Sequence, residues 1–222
     1  MGANYSSWSA HGGGQGSAVI VDPSLGQGPP KAQFDAASSL RTNMHDLFGM
    51  YAFQLREVAL LVALGSSSTA LHQTILSCNK ALDDLGNYFS SFYGPAGGKS
   101  IASYLKDGTK HAIDYVHLAK RLYADKRSDV SKQSLQAELC QWDGSCAQLS
   151  VAFASLNPGL SYEGIMAQFK RMISLYDQQV TALMEDFNDS SLMRFKDLMN
   201  HVRGVSDLIA VAVMSHVNKG KQ

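Results

Sequence analysis

The chain has 222 residues, a hydrophobic fraction of 45%, and 19 basic against 19 acidic side chains. That length suits one domain, or one domain and a tail, with a sizeable core. A nucleic-acid binder needs a basic stripe to neutralise phosphates, and the basic runs here stop at pairs such as Lys120-Arg121 and Lys126-Arg127, so no nucleic-acid partner is expected.

Residues 1–30 differ in kind from the rest. They hold Gly2, Gly12, Gly13, Gly14, Gly16, Gly26 and Gly28 with Pro23, Pro29 and Pro30. Such a segment cannot bury enough apolar surface to offset its ordering entropy. A disordered or extended tail is expected over 1–30, and a folded domain over 31–222. The tail contains no Lys or Arg, so it lacks the basic region of a signal peptide. A reducing, non-secreted setting follows, with Cys78, Cys140 and Cys146 as free thiols buried like small apolar side chains. Within the tail, Ala18-Val19-Ile20-Val21 could add as a strand to a partner's sheet edge or lie on its own domain.

From Lys31 the apolar positions take gaps of three and four, the period of a helix packed on one face. The first helix runs through Phe34, Leu40, Met44, Leu47, Tyr51, Leu55 and Val58, and Gly65 with Ser66-Ser67-Ser68-Thr69 ends it and caps the next. The second carries Leu71, Ile75, Cys78, Leu82, Leu85, Phe89 and Phe92, and breaks at Gly94-Pro95. The third follows Gly97-Gly98 with Ile101, Leu105, Ala112, Tyr115, Leu118 and Leu122, then fades into the charged loop Asp125 to Asp129. The fourth holds Leu135, Leu139, Trp142, Cys146, Leu149, Phe153 and Leu156, and Asn157-Pro158-Gly159 stops it. The fifth starts after Ser161 with Ile165, Phe169, Met172, Tyr176, Val180 and Leu183. The sixth follows Asn188-Asp189-Ser190 and holds Phe195, Leu198, Val202, Val205, Ile209 and Ala212. Short links favour antiparallel neighbours, so the predicted fold is an all-α, up-down bundle of about six helices. Gly49, Gly86, Gly108, Gly144, Gly164 and Gly204 fall inside helical patterns, where close helix approach is the usual reason for glycine. The apolar stretches Val58 to Leu64 and Leu208 to Met214 fall short of the ~20 residues a membrane span needs, so no transmembrane helix is expected.

The sharpest motif is the start. Met1-Gly2-Ala3-Asn4-Tyr5-Ser6 fits the M-G-x-x-x-[ST] pattern for N-myristoylation, with Gly2 as attachment site and Ser6 as the hydroxyl the pattern requires. One myristoyl chain holds a protein to a membrane only weakly, so assembly or a protein pocket must supply the rest. His111, Asp114 and His117 lie three apart on the third helix, a candidate metal or small-ligand set. A di-metal bundle would need matching carboxylates with paired His on other helices, and none stands at that spacing. Gly97-Gly98-Lys99-Ser100 ends like a phosphate loop, but Tyr93 occupies the place of its first glycine and a helix precedes it. No nucleophile elbow occurs, and no cofactor is expected.

Phe92-Tyr93-Gly94, the helix from Tyr104-Leu105 through Ala119-Lys120, and Trp142 followed by Leu156-Asn157-Pro158 resemble a small all-helical family of bacteria. Its members often bear labels such as glycosyltransferase or acetylglutamate kinase, for which this chain shows no motif. The likeness spans about residues 40–217, and its most specific piece is the spacing from the tryptophan to Asn-Pro. The resemblance implies a polar bundle core, with a His on the first, third and fifth helices and an Asn and acids after the tryptophan. Here those positions correspond to Tyr51, Gly108, Met172, Ser145, Ala147 and Gln148, so the constellation is gone, while Asp107, Asp114 and Arg56 keep their character. The expectation is a scaffold reused for interaction rather than an enzyme.

Myristoylation implies a eukaryotic cell, and a bacterial-type bundle there is similar to what a large DNA virus encodes. The expected role is a non-enzymatic structural or interaction protein on the cytosolic face of a membrane or in a virion. Its partners would be the membrane, through the myristoyl group, and proteins of an assembly such as a viral capsid. The alternatives are a small-ligand or metal-binding bundle and a signalling adaptor with a myristoyl switch.

Overall fold

The computed structural model describes residues 31–125, 128–185 and 189–219. Residues 1–30, with the acylation motif and the tail expectation, lie outside the described residues. The described chain is all-α, with helices α1 (Lys31–Leu64), α2 (Ser68–Ala124), α3 (Asp129–Leu156), α4 (Tyr162–Glu185) and α5 (Asp189–Lys219).

Five helices rather than six arise because α2 runs across the expected break with a single non-helical residue. Gly94 has φ 75° and ψ 165°, a backbone state that side chains with a Cβ rarely adopt. Pro95 follows it and has no N–H to offer the preceding turn. The chain reverses at this point. Lys106 Nζ on the second arm reaches Asp83 Oδ1 on the first at 2.6 Å. A Cβ added at Gly86 would lie 2.6 Å from Ala102 Cβ, and one added at Gly98 would lie 2.3 Å from the Gly86 carbonyl oxygen. The arms 68–93 and 95–124 thus form a tight antiparallel hairpin, and the bundle has six helical segments after all.

Cross-helix contacts give the directions. Asn43–Tyr88 and Gln54–Ser77 set α1 antiparallel to the first arm of α2. Tyr51–Thr109 and Lys120–Val62 set it parallel to the second. His111–Glu138 beside Gly97–Leu156 makes α3 antiparallel to that arm. Ser150–Met166 with Asp143–Lys170 reverses α4 on α3. Phe53–Phe195 and Arg41–Asp207 then seat α5 antiparallel to α1 and close the ring. The result is the up-down order expected from the short links.

Ser67 and Ser161 cap helices where the sequence placed their starts, and Ser128, read as part of a charged loop, caps α3 as well. The Ser67 hydroxyl accepts from Ala70 N at 3.3 Å, Ser128 from Ser131 N at 3.3 Å, and Ser161 from Gly164 N at 3.1 Å. The inner glycines divide. Gly86 sits at a close approach, whereas a Cβ at Gly108 or Gly49 would make only ordinary contact, with the Trp142 ring and Met199 respectively. Gly164 belongs to the Ser161 cap instead. A Cβ at Gly144 or Gly204 would meet nothing within 4 Å, so close packing does not explain either.

One core holds the ring together, built on Trp142, Tyr115, Tyr176, Phe89, Phe153 and Phe169. The Trp142 ring stands edge-on to Tyr176 at 5.4 Å. By length and composition alone, Ala37–Leu64 of α1 could cross a membrane, contrary to the expectation from unbroken apolar runs. Mean hydropathy tolerates an interspersed charge that ends such a run. Here 44% of the apolar window is buried against the other helices.

Gln179 on α4 is fully buried, and neither polar atom of its amide has a hydrogen-bond partner. An orphaned buried amide costs about 1–3 kcal/mol. Gln179→Met keeps the volume and removes both polar atoms, so it is expected to raise the unfolding free energy by about 1–2 kcal/mol. Urea denaturation checks this; a midpoint that stays or falls refutes it.

Candidate functional site

The His111 region is ordered by α2 and α3. His111 Nδ1 meets Glu138 Oε1 at 2.6 Å, and both side chains are largely shielded. This pair ties the second arm of α2 to α3 and orients the imidazole. Asp114 and His117 do not join it. Helical rotation is about 100° per residue, so a residue six positions on points about 120° away. His111 turns to α3, and among the described residues no group of three His, Cys, Asp or Glu could hold a metal. The expected His111, Asp114 and His117 set is therefore not gathered into a group that could hold a metal. Around His111 the structure instead forms an open polar cleft of about 430 Å³, with Asp107, Lys110, Gln141, Ser145 and Gln148 at its walls.

The core positions singled out by the resemblance do converge. Tyr51, Gly108, Ser145 and Met172 all line one internal cavity beside Trp142. Its volume is about 10 Å³, near the minimum for a single water molecule. The Tyr51 hydroxyl lies 2.9 Å from Thr109 Oγ1, which donates its own proton to the Leu105 carbonyl at 2.8 Å. Tyr51 is therefore the donor of the pair, and burial drives its pKa far above the ordinary tyrosine value. Gln148 faces the outer cleft and Ala147 packs against the core. Arg56 lies over the Phe195 ring, 4.8 Å from its centre, and does not enter the cavity. Leu105, Leu149, Phe169 and Trp142 line the rest of the cavity, leaving its wall mostly apolar.

The other titratable groups hold helices together. The Tyr115 hydroxyl donates to Asp177, and Tyr176 donates to the Leu55 carbonyl at 3.2 Å. Burial raises both pKa values, and the Asp177 carboxylate adds to the rise at Tyr115. Burial pushes Cys78 and Cys146 up to about 12, with Asp143 a lesser cause at Cys146. Cys140 is exposed, against the expectation of three buried thiols, because it points into the open groove between α3 and α4. Lys99 and Ser100 stand exposed on the second arm of α2, in continuous helix rather than a phosphate loop.

Sequence reasoning did not find the seam between α1 and α5. Asp207 accepts from Arg41 Nε at 2.8 Å and lies 2.9 Å from His45 Nε2, forming a polar rung across it. On one side of the rung a cavity of about 640 Å³ runs past Gly49, Met50, Phe53 and Met199. On the other side a cavity of about 360 Å³ lies between Ala37, Ala210, Val211 and Met214. Met50, Phe53, Leu208 and Val211 are all exposed. None of the four lies on the apolar stripes of the first or last predicted helix, so period left them off the core face but could not show that they gather along one seam.

The chain matches no protein-family model, no curated protein and no solved structure.

Proposed function

We propose that this protein is a non-enzymatic interaction module, tethered to a membrane through a myristoyl group on Gly2 and working within a larger protein assembly such as a virion. The observation that carries this reading is the start Met1-Gly2-Ala3-Asn4-Tyr5-Ser6, with its free glycine after methionine removal and its serine at position six. The exposed apolar side chains along the α1–α5 seam support it, since a module that assembles needs a surface to offer. His111, Tyr51, Tyr115 and Tyr176 are each engaged in holding helices to one another, which suits a scaffold.

The test is the intact mass of the full chain produced in eukaryotic cells, with flotation on phosphatidylcholine vesicles. One myristoyl group on Gly2 is expected, with weak, reversible vesicle binding that Gly2→Ala abolishes. A retained Met1 or a bare Gly2 refutes the tether.

A second reading is a small polar ligand in the α2–α3 cleft. It is favoured by the Glu138-oriented His111 beside Asp107, Lys110 and Ser145. Native mass spectrometry would show a co-purifying small molecule that His111→Ala removes. A ligand-free mass sinks this reading.

A further inference from the structure

The geometry points to an intramolecular dock: the apolar run Val19-Ile20-Val21 of this chain's own N-terminal segment seats in the α1–α5 cavity formed by Ala37, Ala210, Val211 and Met214. This inference does not depend on acylation.

The cavity lies at the end of the bundle where the chain enters. Thirty residues precede Lys31, and α1 begins there. Val211 is 54% exposed, though its neighbours Ala210, Ala212 and Val213 are buried. A large aliphatic side chain left half in water beside an apolar cavity of about 360 Å³ offers contact area to an apolar occupant. The segment before Lys31 contains one compact aliphatic run, Ala18-Val19-Ile20-Val21.

Reach and charge agree with this occupant. Nine residues, 22–30, separate the run from Lys31 and span at most about 30 Å when extended. The ten residues from Lys31 to Arg41 rise only about 15 Å along α1. Pro23, Pro29 and Pro30 favour extended or turning backbone over helix, as a returning strap requires. Asp22 follows the run directly and is the sole acidic residue of 1–30. Arg41 lines the same cavity, 55% exposed and already bound to Asp207 through Nε, so seating the run brings Asp22 to the other N–H groups of that guanidinium. An external sheet edge would also accept the run, but it would leave the cavity and Arg41 without this partner.

The test uses the full-length, unacylated chain. Elastase cleaves after small aliphatic residues, and its rate at 18–21 reports whether the run is sheltered. Val211→Asp should speed that cleavage about tenfold, the effect of losing roughly one apolar burial. Met50→Asp, in the other seam cavity, should leave the rate unchanged. Ile20 precedes the first helix, so Ile20→Asp replaces no residue of the helical core. It should speed hydrogen exchange at 210–218 by a similar factor. Equal cleavage in wild type and Val211→Asp, or unchanged exchange in Ile20→Asp, overturns the dock. Protection that grows with protein concentration also overturns it, because the run would then occupy another molecule.

Discussion

Gly98→Ala is expected to destabilise the bundle by about 3 kcal/mol, at the upper end of the range for overpacking. The added Cβ would lie 2.1 Å from Ser90 Oγ, 2.3 Å from the Gly86 carbonyl oxygen and 2.7 Å from Ser90 N. The hydroxyl can rotate away, but the carbonyl and the amide are backbone. The two arms of α2 must therefore separate, which opens the contact of Gly86 with Ala102 as well. Helix propensity works the other way, favouring alanine by about 1 kcal/mol. The same exchange at Gly204 supplies the control. A Cβ there meets nothing within 4 Å, so Gly204→Ala should stabilise by about 1 kcal/mol. Urea unfolding followed by circular dichroism reads both signs. If both variants move the same way, the close crossing of the arms is wrong.

Alkaline pH is expected to unfold the protein in a graded way, beginning near pH 9. Cys78 and Cys146 titrate near 12 in the folded bundle because burial disfavours the thiolate. In the unfolded chain a thiol ionises at about 8.5. Between these values the unfolded state binds fewer protons than the folded one, so stability falls as pH rises. The contribution is fully present below the unfolded value and lost as pH climbs through the folded one. Each thiol adds a slope of about 1.4 kcal/mol per pH unit. Tyr51, Tyr115 and Tyr176 steepen the fall above about pH 10, where unfolded tyrosines ionise. Urea midpoints between pH 8 and 11 measure the slope, and the Cys78→Ala/Cys146→Ala double variant should show a shallower one. A flat profile, or equal slopes in both proteins, contradicts the buried placement of these thiols.

The two effects separate the interior of the bundle from its surface. Its interior is closed, with large aromatic side chains around a cavity of about 10 Å³. Its outside carries the apolar α1–α5 seam, divided by the Arg41–Asp207–His45 rung. On the proposed reading, interaction would fall to the surface and to the segment before Lys31, while stability belongs to the core. Substitutions on the seam, such as Val211→Asp, should alter docking with little effect on unfolding, whereas Gly98→Ala should do the reverse.

Helix extents were legible in the sequence because they are local. Gly65 with the serine run, Gly94-Pro95 and Asn157-Pro158-Gly159 fall at the ends or breaks of the observed helices, and Ser67 and Ser161 serve as caps. A cap or a break depends on the sterics and hydrogen bonds of a few consecutive residues. The apolar stripes were legible for the same reason, since their period is that of one helix. Partners were not. His111 meets Glu138 from 27 residues away, and His45 meets Asp207 from 162 away. Such pairings depend on how each helix is rotated and how far it slides along its neighbour, and no short stretch of sequence encodes either. The spacing within one helix already set His117 about 120° from His111, but only the packing of α2 on α3 faced His111 with Glu138, and the reversal at Gly94 pressed Gly98 against Gly86. Tertiary packing alone decided that apolar residues off those stripes, such as Met50, Phe53 and Val211, gather along one seam between α1 and α5, because helical period marks a face but not the neighbour that face meets.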